Sequence, residues 1–348
     1  MERRKTRQVD FGGISIGGSS KITIQSMTNT KTKDVKATVE QVRMLRAAGC
    51  DIVRLTVPDM ESARALSEIL PQVDIPIVAD IHFDYRLAIE ALRRGVDGLR
   101  LNPGNIGGEE RVRQVVREAK KRQVKIRIGV NGGSLEKNIL QKYGNTPQAM
   151  VESAFEHIRI LENLDFYNTV VSLKASDVSK TVEAYEMFSE KNDYPLHLGI
   201  TEAGTHKAGT VKSSVGIGYL LLRGIGDTIR VSLTADPVEE VHVAKEILKS
   251  LGYCEDEIRI ISCPTCGRTE IDLIALAERI EKSVAHIKKP LTVAIMGCVV
   301  NGPGEAKGAD IGIAGGRGEA LLFRKGEIIR RVKEEELTKV LLEEIEKL

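Results

Sequence analysis

The chain alternates between short runs rich in Val, Ile and Leu and longer segments whose apolar residues recur at helical spacing. Eight short runs predict β-strands: Lys21–Thr28, Asp51–Val57, Ile75–Ile81, Gly98–Leu101, Val124–Val130, Thr169–Leu173, Leu196–Ile200 and Thr228–Leu233. The segments between them, such as Thr38–Ala48 and Arg111–Arg122, carry apolar residues at i, i+3, i+4 and i+7, which indicates amphipathic helices. Eight strand–helix repeats favour an α/β fold in which parallel strands close into a (β/α)8 TIM barrel. A doubly wound open sheet is the alternative if this count is off by one or two strands.

This alternation ends after Gly252, where a different order of elements begins. The later pattern predicts strand Glu257–Ile261, helix Glu270–His286, strand Leu291–Met296, two or three short strands between Asp310 and Arg331, and a charged helix Lys333–Leu348. A barrel takes about 250 residues, so the 348-residue chain has room for one further unit. We therefore expect a substrate-binding TIM barrel over residues 1–252 and a smaller α+β domain over 253–348.

Composition and charge exclude several classes of protein. Lys+Arg 51 against Asp+Glu 49 gives a net charge of +2, and the chain has no Trp, so neither a basic field nor a stacking surface favours nucleic acid. No apolar run approaches the roughly 20 residues that span a bilayer. The basic N-terminus lacks the apolar core of a signal peptide. These features predict a cytoplasmic protein with no membrane or nucleic-acid partner.

Positively charged residues lie at or near the ends of five predicted strands: Arg54, Arg100, Arg127, Lys174 and Arg230. A single cation in a strand usually faces solvent, but the carboxyl ends of barrel strands converge on one mouth. Burying several cations is costly unless anions compensate for them. Guanidinium groups match phosphate oxygens in a bidentate manner. The pattern therefore favours a substrate with two or more phosphates.

Other polar residues follow the same strand ends. They are Asp80 and His82 after the third strand, Asn102 after the fourth, Asn131 after the fifth and Glu202 after the seventh. The Gly- and Asn-rich loops after Asn102 and Asn131 either offer N–H groups to oxyanions or form ordinary turns. Glu202 is an acid among cations. It either pairs with a neighbouring Arg or donates a proton to a leaving group, and the residues alone leave both roles open.

The cysteines form a second candidate site. Five of them, an odd number in a long chain, argue against a disulfide framework. Cys263 and Cys266 lie in the turn CPTCG between a predicted strand and helix, and Cys298 follows the next strand in the run GCVVNGPGE. Three thiolates and one oxygen ligand suit an iron–sulfur cluster with one weakly held metal. An iron–sulfur cluster is therefore the favoured interpretation.

Alternative roles for the cysteines are less well supported. A zinc ribbon needs a second pair of ligands, which the sequence does not offer at the usual spacing. Dithiol exchange lacks a thioredoxin-like context. Cys254 is the alternative candidate for a fourth thiolate ligand. Cys50 is best explained as a small buried apolar residue.

Eight motifs carry a resemblance to a known family: SMTNT, VRLTVP, ADIHFDYRLA, LRLNPGN, GVNGGSL, LGITEAG, ISCPTCGRTEIDL and MGCVVNGPGEA. In this order, and over essentially the whole chain, they resemble the 4-hydroxy-3-methylbut-2-enyl diphosphate synthase family of the methylerythritol phosphate route. The resemblance is to the shorter, two-domain form. It implies an oxidoreductase that reductively opens 2-C-methyl-D-erythritol 2,4-cyclodiphosphate in isoprenoid biosynthesis.

The resemblance also implies roles for particular residues. It implies a [4Fe–4S] cluster on Cys263, Cys266, Cys298 and Glu305, a diphosphate held by Arg54, Arg100, Arg127, Lys174, Arg230 and Ser232, and reacting carbons lined by Asp80, His82, Asn131 and Glu202. It further implies a head-to-tail homodimer. No GxGxxG fingerprint follows a strand, so the expected electron donor is a flavodoxin or ferredoxin.

Two other functions fit parts of the pattern. Lys174 at a strand end suits a Schiff-base sugar-phosphate aldolase in which the cysteines hold structural zinc. A pure electron-transfer protein with the barrel as scaffold is the third hypothesis, but it leaves the polar rim unexplained.

Overall fold

The computed structural model describes residues 2–254, 256–299 and 306–348. The chain divides into two compact units, Met1–Tyr253 and Cys254–Leu348. No helix in the described ranges is long and apolar enough to cross a membrane.

The first unit contains ten strands and nine α-helices among its described residues. The strands are β1 (Val9–Phe11), β2 (Ile14–Ile16), β3 (Thr23–Met27), β4 (Ile52–Thr56), β5 (Ile77–Asp80), β6 (Gly98–Arg100), β7 (Lys125–Asn131), β8 (Thr169–Lys174), β9 (His197–Leu198) and β10 (Thr228–Ile229). The helices are α1 (Val35–Ala48), α2 (Met60–Ile69), α3 (Tyr85–Arg94), α4 (Glu109–Arg122), α5 (Lys137–Tyr143), α6 (Pro147–Glu162), α7 (Val178–Ser189), α8 (His206–Leu222) and α9 (Pro237–Ser250).

Strands β3 to β10 form one parallel eight-stranded sheet in the order β8-β7-β6-β5-β4-β3-β10-β9. A parallel bridge between Val171 and Leu196 brings the two ends of this order together. The predicted TIM barrel is therefore confirmed, and the doubly wound open sheet is wrong. Each of the eight predicted strands overlaps one strand of the barrel, and β7 and β8 each extend one residue beyond the predicted end.

Aspartates determine where several barrel helices begin. The side chains of Asp34, Asp59 and Asp177 each accept a hydrogen bond from a backbone N–H three residues further on, at the starts of α1, α2 and α7. Such N-caps satisfy N–H groups that have no partner inside the helix. They therefore help to set the length of the loops at the barrel mouth.

The antiparallel hairpin β1–β2 packs against the amino-terminal ends of the barrel strands. Phe11 and Ile16 share an apolar cluster with Ile52, Val78 and Val170 from the barrel. A Cβ atom on Gly98 would lie 2.4 Å from Cε1 of Phe11, so a glycine is needed where the ring enters. The hairpin thus plugs the end of the barrel opposite the mouth.

The second unit is a mixed five-stranded sheet with helices packed on it. Its elements are β11 (Arg259–Ser262), α10 (Leu273–Val284), β12 (Thr292–Met296), β13 (Ile311–Gly315), β14 (Glu319–Arg324), β15 (Glu327–Lys333) and α11 (Leu337–Glu346). Strands β11, β12 and β13 are parallel, whereas β14 and β15 are antiparallel to their neighbours. This is the predicted α+β unit.

Candidate active site

Strand alternation directs the charged residues into the barrel. Ile52 and Val78 point inward at the plugged end, and side chains two residues apart on a strand share a face. Arg54 and Asp80, each two residues further along, therefore also point inward, nearer the mouth. Arg100, on β6, forms an ion pair with Asp80.

Asp80 connects three of the predicted site residues. Its carboxylate lies 3.5 Å from Nε of Arg54, 3.3 Å from Nη1 of Arg100 and 3.7 Å from Nε2 of His82. Burial raises the pKa of the Asp80 carboxyl, but the nearby Arg54 and Arg100 outweigh it and hold that pKa below its ordinary value. Burial also lowers the pKa of Arg54 to about 10, against the attraction of Asp80.

Arg100 is held by β7 as well. Its Nη2 donates to the Gly129 carbonyl at 2.7 Å, and the Gly129 N–H donates to Oδ1 of Asn102 at 2.9 Å. A Cβ atom on residue 129 would lie 2.3 Å from Nε of Arg100. Glycine at this position therefore provides the space that the guanidinium occupies.

Arg127 spans the inside of the barrel. It projects from β7, and its Nη1 donates to Oε1 of Gln25 on β3, which is the opposite strand of the ring. Its Nε has no hydrogen-bond partner in the described part of the chain. Burial, together with Arg54 and Arg100, lowers the pKa of the Arg127 guanidinium well below its ordinary value.

Lys174 is buried and has no hydrogen-bond or ion-pair partner among residues 2–254, 256–299 and 306–348. A Cβ atom on Gly199 would lie 2.6 Å from its Nζ, so the ammonium lies against the backbone directly after β9, at a residue without a side chain. Burial lowers the pKa of Lys174 well below its ordinary value, and Arg127 and Arg230 lower it further.

Arg230 is paired with a helix residue that the sequence analysis did not single out. Its Nη2 lies 3.2 Å from Oε2 of Glu240, on α9. Glu240 also accepts from the Ser26 hydroxyl at 3.2 Å and from the Leu233 N–H at 3.0 Å. The Met27 sulfur lies 3.0 Å from Nη2 of Arg54 and 3.7 Å from Nη1 of Arg230, between the two guanidinium groups.

The barrel mouth has more positive than negative charge. All five predicted cations are brought together there, and within the described ranges their ion-pair partners are Asp80 and Glu240. The five cations therefore exceed these two carboxylates by three charges in a largely buried setting. Because buried charges are costly unless paired, this arrangement suits a multiply charged anion.

The remaining predicted residues lie at the rim. Ser232 and Asn131 are half-buried, and His82 and Glu202 are exposed. Glu202 has φ +51°, a left-handed conformation that few non-glycine residues adopt. It forms no ion pair among the described residues, so the structure does not show the pairing with an Arg that was one of its two predicted roles.

The structure adds residues that sequence patterns did not identify. Gln25, Met27 and Glu240 contact the cations, and Gly129 and Gly199 provide space for them. A glutamate inside a helix, or a glycine inside a strand, has the same pattern whether or not it serves a site. The glycines interrupting β-branched runs were the one available indication of close approach.

The cysteine loops of the second unit are hydrogen-bonded to one another. The Gly297 N–H donates to Sγ of Cys263 at 3.2 Å, and the Glu270 N–H donates to the Gly297 carbonyl at 3.0 Å. Backbone and side-chain hydrogen bonds from Arg268 lower the pKa of the exposed Cys266 thiol. N–H groups directed at sulfur and a stabilised thiolate are both features of iron–sulfur sites.

The chemistry of the donor set fits an iron–sulfur cluster. Cys263, Cys266 and Cys298 are free thiols. In the ranges described, no three His, Cys, Asp or Glu side chains converge closely enough to hold one metal ion. Cysteines that bind different irons of a cluster need not converge in that way. The fourth predicted ligand, Glu305, lies outside the described residues.

Family comparisons cover both units. The GcpE TIM-barrel domain matches residues 6–245, and the GcpE protein C-terminal domain matches residues 259–347. A 4-hydroxy-3-methylbut-2-en-1-yl diphosphate synthase (flavodoxin) of Clostridium perfringens is 59% identical over 347 residues, which is 99% of each chain. The protein of the same name from Thermodesulfovibrio yellowstonii is 57% identical over 100% of both chains.

Solved structures of low identity support the barrel fold alone. A dihydropteroate synthase of Stenotrophomonas maltophilia aligns with a TM-score of 0.52 at 14% identity, over 71% of this chain and 98% of its own. An N-acetylneuraminic acid synthetase of Leptospira borgpetersenii aligns with a TM-score of 0.52 at 10% identity, over 82% of this chain and 100% of its own. The two family models and the full-length relatives confirm the resemblance that the motifs predicted. The chain belongs to the GcpE family.

Proposed function

We propose that this protein is a 4-hydroxy-3-methylbut-2-en-1-yl diphosphate synthase. Its substrate is 2-C-methyl-D-erythritol 2,4-cyclodiphosphate. Two electrons and two protons convert one substrate molecule into 4-hydroxy-3-methylbut-2-en-1-yl diphosphate and one water. The ring C–O bond to phosphate breaks, and one hydroxyl leaves as water.

The observation that carries this proposal is the uncompensated positive charge at the barrel mouth. Arg127 and Lys174 are buried and lack carboxylate partners in the described ranges. A cyclic diphosphate supplies the missing negative charge, and its leaving-group oxygens gain more charge as the ring opens. Cations fixed in advance stabilise that developing charge without reorganising.

Membership of the family implies an iron–sulfur cluster, and we assign it as [4Fe–4S]. Cys263, Cys266 and Cys298 would hold it, with Glu305 on the fourth iron. When bound, the cluster supplies single-electron transfer. The protein contributes thiolates, the Gly297 N–H directed at Cys263, and the placement of the substrate.

Glu202 is our choice for the proton donor. It is exposed at the rim, has no ion-pair partner in the described part of the chain, and is held at φ +51°. An exposed carboxyl group that no cation binds is available to deliver a proton to a departing hydroxyl. Asp80 and His82, which lie 3.7 Å apart, and Asn131 line the reacting carbons in this proposal.

The proposal implies an electron donor and a division of roles between two domains. The electron donor is a flavodoxin, as in the names of the relatives, or a ferredoxin. Residues 1–252 bind the substrate and 253–348 carry the cluster. A homodimer and a cytoplasmic location remain predictions.

The aldolase alternative is not favoured by the family comparison, but the position of Lys174 keeps it testable. Borohydride reduction in the presence of a ketose phosphate should leave Lys174 unmodified. A covalent adduct on Lys174 would instead support a Schiff base.

Binding of the cyclic diphosphate tests the role of the cations. Calorimetry should detect binding of the cyclic diphosphate and little or no binding of 2-C-methyl-D-erythritol, which lacks phosphates. Arg54→Met should weaken binding by about tenfold or more, whereas the same change at the exposed Arg43 should leave it unchanged. Equal binding by all three proteins would contradict the proposed site.

A further inference from the structure

A histidine outside the predicted site connects two loops at the barrel mouth. The loop after β6 contains Gly104, whose N–H donates to Nδ1 of His157 on α6 at 3.2 Å. Nε2 of His157 lies 2.9 Å from Oε1 of Glu136, in the loop after β7. His157 is 2% exposed, so both contacts are shielded from water.

The hydrogen bonds determine which nitrogen of the neutral ring carries the hydrogen. Because Nδ1 accepts from the Gly104 N–H, the neutral imidazole carries its hydrogen on Nε2 and donates it to Glu136. Ser153, one helical turn before His157, donates its hydroxyl to the other Glu136 oxygen at 2.8 Å. Burial raises the pKa of Glu136, but these hydrogen bonds outweigh it and lower that pKa to about 2.

The backbone is shaped to permit this contact. A Cβ atom on Gly104 would lie 2.9 Å from Cε1 of His157, so only glycine lets the loop approach the ring so closely. At the start of the same loop, Oδ1 of Asn102 accepts a hydrogen bond from the Gly129 N–H. The loop after β6 is therefore fastened to β7 at one end and, through His157, to the loop after β7.

The two fastened loops line one cavity. It has a volume of about 560 Å³, and its lining includes Arg100, Asn102, Asn131 and Glu136. Arg100 and Asn131 are residues of the proposed substrate site, whereas His157 does not line the cavity. A change at His157 would therefore act on the substrate indirectly, and its hydrogen bonds to Gly104 and Glu136 lead to the two loops.

We propose that His157 is a positioning residue, which sets the separation of the loops after β6 and β7 and so the fit of the cyclic diphosphate between them. This inference rests on the proposed function. The competing explanation is that His157 is a satisfied core residue whose loss affects stability alone.

Three variants separate these explanations. His157→Phe keeps a ring but loses both hydrogen bonds, and His157→Gln keeps one acceptor and one donor. Tyr194→Phe is the matched control, because it removes a 2.8 Å hydrogen bond to Glu162, the last residue of the same helix, without touching either loop. Each variant is measured as the full-length holoenzyme for thermal stability, KM and kcat with the cyclic diphosphate, and amide exchange in residues 102–107.

His157→Phe should raise KM about tenfold with kcat changed less than twofold, and speed exchange in residues 102–107. His157→Gln should restore KM to within about threefold of the parent, and Tyr194→Phe should lower stability without raising KM. An unchanged KM in His157→Phe, an equal rise in Tyr194→Phe, or no rescue by Gln would overturn the inference. If the parent protein does not bind the cyclic diphosphate, it is the proposed function that fails, and this inference with it.

Discussion

At the scale of single residues, the barrel mouth holds cations that are unfavourable without a ligand. Lys174 is the clearest example, because it is 8% exposed and has no acidic partner in the described ranges. Burial and the surrounding arginines lower its pKa well below the ordinary value. Such a residue lowers the stability of the free protein and contributes to the binding free energy when an anion binds.

Replacing Lys174 with Met should therefore stabilise the ligand-free protein and impair binding. We expect a gain of about 1 kcal/mol or more, which is about 2–4 °C in the unfolding midpoint of a unit this size. Calorimetry should show loss of cyclic diphosphate binding in the same variant. The exposed Lys207→Met is the control and should change neither quantity. A destabilised Lys174→Met that still binds would contradict this account.

His197 is a second buried polar residue inside the barrel. Its two ring nitrogens have no hydrogen-bond partner in the described part of the chain. Burial, with Lys174 and Arg127 nearby, holds the pKa of His197 well below its ordinary 6.5. The unfolded chain therefore binds a proton here that the folded chain does not. Stability should consequently fall as the pH drops below about 6.5.

Removing this titration should flatten the pH dependence of stability. His197→Gln should lose a slope of up to about 1.4 kcal/mol per pH unit between pH 6 and 5, measured by unfolding midpoints. His242→Gln, on the exposed face of α9, is the control and should keep the parent slope. An identical slope in His197→Gln would show that His197 does not make this contribution.

At the scale of elements, strand β7 supports the site through a missing side chain. Arg100 lies where a Cβ atom of residue 129 would be, at 2.3 Å from its Nε. Gly129 has an ordinary φ, so alanine is compatible with its backbone but displaces the guanidinium. Gly133, in the loop that follows β7, has nothing within 4 Å of its Cβ position and offers a matched comparison.

Gly129→Ala should weaken cyclic diphosphate binding about tenfold, to the level of Arg100→Ala. Combining the two changes should add little, because both remove the same contact. Gly133→Ala should bind as the parent does. Calorimetry of the four variants measures this coupling, and fully additive losses would mean that Gly129 acts independently of Arg100.

At the scale of the whole molecule, the fold was largely predictable because its pattern is repetitive. Each barrel strand forms a short apolar run, and in each helix apolar residues recur every three or four positions. The hairpin β1–β2 was not predicted, since three-residue strands such as Val9–Phe11 are too short to show a period.

The site was predictable in part, for a different reason. Arg54, Arg100, Arg127, Lys174 and Arg230 stand out as charges in apolar strands, and the barrel brings them together. Glu240 and His157 lie on helices, where charged and polar residues are common. Their inward contacts depend on tertiary packing that no local pattern records.

The proposed iron–sulfur cluster is held by cysteines of the second unit, and its ligands can be tested by iron content. Cys298→Ser should lower the iron content after anaerobic reconstitution, because it removes one of three proposed thiolate ligands. Cys50→Ser should retain the iron of the parent, since that thiol is buried beside β4 with its Sγ 3.1 Å from the Ile52 carbonyl oxygen. Iron and acid-labile sulfide counted per chain measure this difference. Full iron in Cys298→Ser would remove Cys298 from the ligand set.

Turnover of the cyclic diphosphate tests the central claim most directly. The reconstituted protein is mixed anaerobically with 2-C-methyl-D-erythritol 2,4-cyclodiphosphate and chemically reduced flavodoxin, and the products are followed by mass spectrometry. We expect one 4-hydroxy-3-methylbut-2-en-1-yl diphosphate for every two electrons consumed. Unchanged substrate in a sample that contains iron, sulfide and reduced flavodoxin would contradict the account.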